Sequence, residues 1–381
     1  VGGLIMGFGI ESSSHKYGLF QSICVSLDLV TAEGKCVRCS PTENADLFYQ
    51  VPWSHGTLGF IVAAELKIIP AKKYIKVHYE PVFSLDQMTT VFEAASRNTE
   101  ENDFVEGLVY SRDKAVIMTG VFTDTIESDG LYNPIGRWYK PWFYKHVETY
   151  LQKDSGAIEY IPLRDYYHRH TRSYFWTMEE IIPFGNNPLF RTLLGWALPP
   201  SIELLKYTET ETTRRLREKF HVVQDMLMPI SYLKQSIQYF DDHFNLYPLW
   251  LSPMAVLDNA QQQGFVHPLR KRDGTVDEMY VDIGAYGTPV KKDFDNSQAL
   301  PLLEQFVLDH HGYQALYAKT MLSRDDFRRM FDHTDYDRLR DQLPFCTQAF
   351  EEVYEKVSSK GRVSPVEMRK LISQRSTLTN A

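Results

Sequence analysis

The first twenty residues, VGGLIMGFGIESSSHKYGLF, carry five glycines (Gly2, Gly3, Gly7, Gly9 and Gly18), three consecutive serines and a Lys-Tyr-Gly. A stretch so poor in side chains suits a loop whose bare amides come close to an anionic group. Gly7-Phe8-Gly9 resembles the start of a dinucleotide fingerprint. The residues that follow, SSSHKYG, read as turn chemistry and not as the opening turn of a helix, which argues against a Rossmann arrangement. The loop reads instead as a cofactor contact made without a helix dipole. The chain begins at Val1 without a Met, so further residues are expected upstream.

Beyond the loop the pattern is that of an α+β protein. ICVSLDLVTAEGKCVRCSP reads as a β-hairpin turning at 32–34, and SPTENADLFYQ as a short helix capped by Ser40 or Thr42. GTLG at 56–59 is a turn into the alternating strand FIVAAELKIIP, closed by Pro70. From Tyr74 the pattern restarts: a strand, a helix over SLDQMTTVFEAASRN with Ser84 as N-cap, then strands at EGLVYS and AVIMTGVFT. The segment 125–215 is aromatic-rich, proline-rich and irregular. HVVQDMLMP, LYPLWLSPMAV and EMYVDIGAYG read as strands and ISYLKQSIQYFDDHF as a helix. This second set predicts an antiparallel sheet with helices over one face. The division expected is 1–73, 74–357, and a polar, flexible tail over 358–381.

Net charge is −8 with no basic stripe, which argues against nucleic acid as a partner. No run reaches the roughly 18 apolar residues of a membrane span. Four cysteines suit a reducing compartment. Cys36 and Cys39 have redox-motif spacing, but on a strand they point to opposite faces, which favours a structural role. The aromatic share, 13%, supplies material for an apolar cavity, or simply for a core.

His168 and His170 would share one face of a strand, yet no third ligand stands at metal spacing, so no metal site is expected. YYHRHTRSYFW reads equally as a site wall or as a structural strand. Glu106, Asp225 and Asp282 look strand-borne, and each reads as a satisfied structural carboxylate rather than a general base. Residues 137–145 and 189–198 mix aromatic, aliphatic and basic side chains, which fits a membrane interface or a partly buried helix.

The glycine loop, the hairpin, SPTEN-x-DLF and GTLGFIVAAELKIIP together resemble the vanillyl-alcohol-oxidase type of FAD flavoproteins. Longer segments, among them YKPWFYKHVE, EYIPLRDYYHRHTRS, IIPFGNNPLFR and YVDIGAYG, resemble the delta(24)-sterol reductase family within it, over residues 1 to about 357. The resemblance implies the C-terminal half of a PCMH-type FAD-binding domain plus an α+β substrate (cap) domain, with the first half of the FAD domain lying upstream. It places Gly2, Gly3, Gly7, Ser12, Ser13, Tyr17, Gly18, Gly56, Gly59, Ile61 and Val62 against FAD. It also implies NADPH as electron donor, a sterol substrate reduced at its side-chain 24(25) double bond, and the endoplasmic reticulum membrane as location.

Reducing an isolated alkene requires a proton donor as well as a hydride source. Tyr317, in Tyr317-Ala318-Lys319, is similar to an aromatic-Gly-Lys segment that returns to the flavin in related oxidases, with Ala in place of Gly. It is the preferred acid, and a phenol with pKa about 10 is protonated at neutral pH. His168, His170, Arg172 and Lys319 are the secondary candidates, as proton relay or as charge near the flavin. Two other readings stay open. One is an FAD-linked oxidase or dehydrogenase acting on a sugar lactone or alcohol. The other is a truncated, non-catalytic isoform.

Overall fold

The computed structural model describes residues 1–153, 156–198, 219–258, 263–291 and 294–358. The glycine-rich segment contains two short helices, α1 (Gly2–Met6) and α2 (Ser14–Tyr17), where the sequence reads as loop and turn. A glycine amide closes each: Gly7 N–H donates to Gly3 O and Gly18 N–H to Ser14 O, both at 2.9 Å. Each helix stops there because that glycine leaves helical geometry, Gly18 at φ 73° and ψ −165°.

The expected hairpin is β1 (Cys24–Val30) and β2 (Cys36–Cys39), with Leu27 opposite Cys39. Cys36 is exposed and Cys39 buried, as alternation on a strand requires. Helix α3 (Ala45–Gln50) follows, but its N-cap is Asn44, in the left-handed conformation, and not Ser40 or Thr42. Ser40 Oγ instead accepts the amides of Thr42 and Glu43, at 3.3 and 3.1 Å, in a turn before the helix. Strand β3 (Phe60–Leu66) completes a sheet of order β2-β1-β3, and none of its seven residues is buried.

The larger sheet begins with β4 (Tyr74–Val82). Helix α4 (Leu85–Arg97) is capped as its sequence predicts, Ser84 Oγ accepting from Gln87 N–H at 3.1 Å. Then come β5 (Phe104–Ser111), β6 (Lys114–Thr123) and β7 (Leu131–Tyr132). The stretch read as irregular holds α5 (Phe143–Glu148), β8 (Ala157–Pro162), α6 (Leu163–Tyr167), α7 (Thr177–Ile181) and α8 (Pro188–Leu194). Strand β9 (Val222–Pro229), helix α9 (Leu233–His243) and strand β10 (Leu249–Ala255) follow. A small hairpin of β11 (Leu269–Arg270) and β12 (Val276–Asp277) leads into β13 (Met279–Gly287), α10 (Asn296–Asp309) and β14 (Tyr313–Gln314). The nine-stranded order is β14-β9-β13-β10-β5-β6-β4-β8-β7, antiparallel except for β7 with β8.

Both faces of this sheet are covered. Met88 and Phe92 of α4, Ile237 and Phe240 of α9, and Leu303 and Val307 of α10 pack with Ile283, Ala285 and Leu251 on one face. On the other, Trp142, Phe143, Tyr166 and Trp176 pack with Leu108, Trp250 and Tyr286. The chain ends its described course in α11 (Arg324–Met330), α12 (Thr334–Gln342), α13 (Cys346–Ala349) and α14 (Val353–Val357). These return to the first unit, where Thr57 Oγ1 lies 2.7 Å from Tyr336 Oη and Arg340 Nη1 donates to Thr57 O at 2.8 Å. Of the polar tail, residues 359–381 lie outside the described residues.

Candidate functional site

Glu106 is the hub of the face opposite the α4–α9–α10 layer. Its carboxylate accepts Arg169 Nε at 2.7 Å, Arg169 Nη2 at 3.0 Å and Trp250 Nε1 at 3.0 Å, with His170 Nε2 at 3.2 Å. Burial opposes its charge, but the Arg169 guanidinium and then His170 override this and hold the carboxyl well below the usual range. Arg169 is likewise kept charged by Glu106 against the cost of its burial. Burial, the largest influence on His170, lowers its pKa. Its ring stacks on Phe175 at 4.4 Å, and its Nδ1 has no partner among the described residues.

Arg169 also ties this hub to the glycine-rich segment. Its Nη2 donates to Ser12 Oγ at 3.2 Å and to Glu11 Oε2 at 3.3 Å, while Val105 N–H donates to Ser12 O at 2.7 Å. Helix α2 therefore lies on β5 and β10. His15 spends both ring nitrogens on carbonyls, Ser12 O at 3.1 Å and Asn102 O at 3.0 Å.

The histidine pair is not on a strand. Residues 168–170 follow the end of α6 in tight turns, His168 N–H donating to Arg164 O and Arg169 N–H to Tyr166 O. Tyr174 and Phe175, both at positive φ, fold the next residues back. So His168 is exposed, Arg169 buried and His170 nearly so, and the two imidazoles do not share a face. Arg172 points away from Glu106 and donates to the carbonyls of Arg137, Trp138 and Lys140. Lys319 is exposed. Tyr317 is half-exposed, its ring 6.2 Å from Phe8 of the glycine-rich segment. Phe8 in turn lies 5.7 Å from Trp53.

The glycines divide into two sets. A Cβ on Gly7 would lie 2.8 Å from Gly3 O, on Gly18 2.6 Å from Ser22 Oγ, and on Gly59 2.8 Å from Val30 O, so the chain's own packing requires them. A Cβ on Gly3 meets nothing within 4 Å, and Gly2 and Gly56 are similarly uncrowded. Ser12 is buried, Ser13 and Tyr17 are half-buried, and Val62 is exposed beside the half-buried Ile61. At Gly2, Gly3 and Gly56 the space a side chain would take is open, so the backbone there can be approached closely.

Sequence reading missed Arg169 and gave Glu106 no partner, because their contact joins positions far apart in the chain. The charge alternation in HRHTR was the available signal. Nor are Asp225 and Asp282 satisfied as expected: Asp225 Oδ2 and both oxygens of Asp282 are buried with no donor among the described residues. A cleft of about 370 Å³ runs between the first unit and the end of β10, lined by Phe48, Trp53, Met254, Val256 and Phe265, among others.

No helix among the described residues is long and apolar enough to cross a membrane. No protein-family model matches the chain. It is 55% identical over 362 residues to the delta(24)-sterol reductase of Macaca fascicularis, covering 95% of this chain and 68% of that protein. It is 38% identical over 389 residues to the delta(24)-sterol reductase of Arabidopsis thaliana, covering 97% and 69%. A shorter likeness, 31% over 124 residues and 32% of the chain, is to cytokinin dehydrogenase 8 of Oryza sativa subsp. indica. With identity at that level across nearly its whole length, the chain belongs to the delta(24)-sterol reductase family.

Proposed function

We propose that the protein reduces the 24(25) side-chain double bond of sterol intermediates, using FAD and NADPH. The observation that carries this reading is the 55% identity over 95% of the chain to a delta(24)-sterol reductase. The open backbone at Gly2, Gly3 and Gly56 supports the second wall of a PCMH-type FAD site. When bound, FAD supplies the hydride.

The chain's own residues have three tasks. They must hold an apolar substrate, exclude water and provide a proton. The apolar cleft beside Trp53 suits the first, since small-molecule sites are mostly apolar and about 300–1,000 Å³. The aromatic residues that line that cleft, Phe48, Trp53 and Phe265, serve the second, and ring faces also favour the positive charge that develops when an alkene is protonated. Placing the proton on the less substituted carbon leaves that charge at the tertiary one. Tyr317 is the acid the chain offers, with His170, kept neutral by burial, as a relay beside Glu106, and Lys319, His168 and Arg172 as the remaining candidates. Anaerobic mixing of purified, FAD-loaded protein with NADPH and then a Δ24 sterol tests the reading. Bleaching by NADPH and recolouring by sterol, with saturated product, is expected. Bleaching by a polyol and not by NADPH would sink it.

The reading includes a membrane surface, in keeping with the endoplasmic reticulum. Leu189, Leu193 and Trp196, on and just after α8, are 70%, 63% and 70% exposed. They adjoin exposed Trp138 and Tyr139 through Arg191 Nη1, which donates to Tyr139 O at 2.8 Å. Flotation with phospholipid vesicles should capture the protein, and Leu193→Asp with Trp196→Ser should release it. Equal capture of both would refute this surface.

A further inference from the structure

Strand register lines up four polar side chains on the face that meets the glycine-rich segment. Asp225 of β9 is opposite Gly284 of β13, and Gly284 is opposite Trp250 of β10. Asp282, two residues before Gly284, is opposite Ser252. Residues two apart on a strand share a face, so Asp225, Asp282, Ser252, Trp250 and Tyr286 stand on one surface. Trp250 is also opposite Leu108 of β5, which puts Glu106 on that same surface, next to Ser252 in continued register.

Every member of this row is buried: Glu106, Ser252 and Asp282 are 0% exposed and Asp225 is 1%. Glu106 has Arg169, but no cation pairs with Asp225 or Asp282 among the described residues. Tyr286 Oη donates to Asp225 Oδ1. The remaining oxygens of the two aspartates face each other with no donor, and Ser252 Oγ is also without a partner. Two carboxylates facing each other in a dry site cannot both be charged, and a proton between them satisfies both. Gly284 is what lets the carboxyl and phenol meet, since a Cβ there would lie 2.6 Å from Tyr286 Oη and 2.8 Å from Asp225 Oδ1.

We propose that Asp225 and Asp282 share one proton and that, on the surface that carries Glu106 and its partner His170, they are the internal proton store from which the reduction draws. This rests on the proposed sterol reduction. Each turnover adds one hydride and one proton to the double bond. The proton leaves the site's acid, the store replaces it, and water returns one to the store. The groups acting on the pair are each other and Tyr286. Burial pushes both carboxyls up, and for Asp282 the facing Asp225 adds to it, so the pair keeps its shared proton at neutral pH.

The test uses Asp282→Asn and Ser252→Ala in the FAD-loaded protein, with unfolding midpoints confirming that each folds. Infrared difference spectra of wild type against Asp282→Asn at pH 7 should show one protonated-carboxyl stretch lost in the variant, apart from the one that buried Glu304 keeps in both. Sterol reduction should fall about 100-fold in Asp282→Asn. In Ser252→Ala its alkaline limb should move to lower pH. No protonated-carboxyl stretch lost in Asp282→Asn, or an unchanged rate and pH profile in both variants, overturns the store. A wild type with the stretch but no sterol reduction instead refutes the proposed function and leaves the shared proton standing.

Discussion

Arg169 Nη2 donates to Ser12 Oγ at 3.2 Å, joining side chains 157 positions apart. The same guanidinium holds Glu106 of β5 through two further bonds. One arginine therefore seats the glycine-rich segment on the large sheet.

Removing that arginine should cost more than any surface ion pair. Arg169→Met leaves the Glu106 charge buried, a loss of about 3–5 kcal/mol. Arg169→Met with Glu106→Leu should recover much of it, because the uncompensated charge goes too. Urea unfolding of both variants checks this, and a single variant within about 1 kcal/mol of wild type would contradict it.

The stability contributed by two buried acids should fall as pH rises from about 4 to 8. Burial pushes Asp225 and Glu304 each up to about 7, so the folded state holds those protons more tightly than the unfolded chain. Their contribution is whole below about pH 4 and is lost as pH climbs through 7, that of Glu304 worth about 3–4 kcal/mol at full extent. Glu106, held low, acts in the opposite sense and only in more acid solution. Buried His15, His170 and His333, whose pKa values burial lowers, act in the opposite sense over part of that range. The check is therefore thermal unfolding of the wild type measured against Glu304→Gln: its midpoint relative to the variant's should be higher at pH 5.5 than at pH 8. A relative midpoint that rises with pH would refute the assignment.

Tyr317→Phe should leave unfolding within about 0.5 kcal/mol of wild type, because its ring is half-exposed and only the hydroxyl is lost. Turnover should drop about 100-fold if that hydroxyl is the acid. Flavin affinity should not change. Full turnover would remove Tyr317 from the chemistry.

Two glycines should behave in opposite ways. Gly18→Ala puts a Cβ 2.6 Å from Ser22 Oγ at φ +73°, which should cost about 2 kcal/mol or more. Gly3→Ala meets nothing within 4 Å inside a helical turn and should be neutral or slightly stabilising. Its effect should appear instead as weaker FAD binding. Thermal unfolding with flavin titration separates the two, and unchanged FAD affinity in Gly3→Ala would count against a close approach there.

What was legible in the sequence is local. The 24–39 hairpin, the Ser84-capped helix and strands β4, β5, β6, β9, β10 and β13 of the large sheet follow from alternation, turn residues and caps within a few positions; β7, β8 and β14 do not. Residues 168–170 were misread as a strand because alternating cationic and aromatic residues imitate one. The turn there is set by Tyr174 and Phe175 at positive φ, residue types that do not announce it. The Asp225–Asp282 pair was hidden differently. Strands β9 and β13 are buried on both faces, so no alternation marked which side each aspartate takes, and only their register brings them together.

The clasp on Thr57 sets an order of assembly. The turn bearing Gly56 and Gly59 is held by Tyr336 and Arg340, partners 279 and 283 positions later. During synthesis the first unit must therefore wait, its turn unfastened, until nearly all the described chain has been made. A release that stops short of α12 would leave a protein whose sheets can pair but whose candidate cofactor turn has nothing to close against.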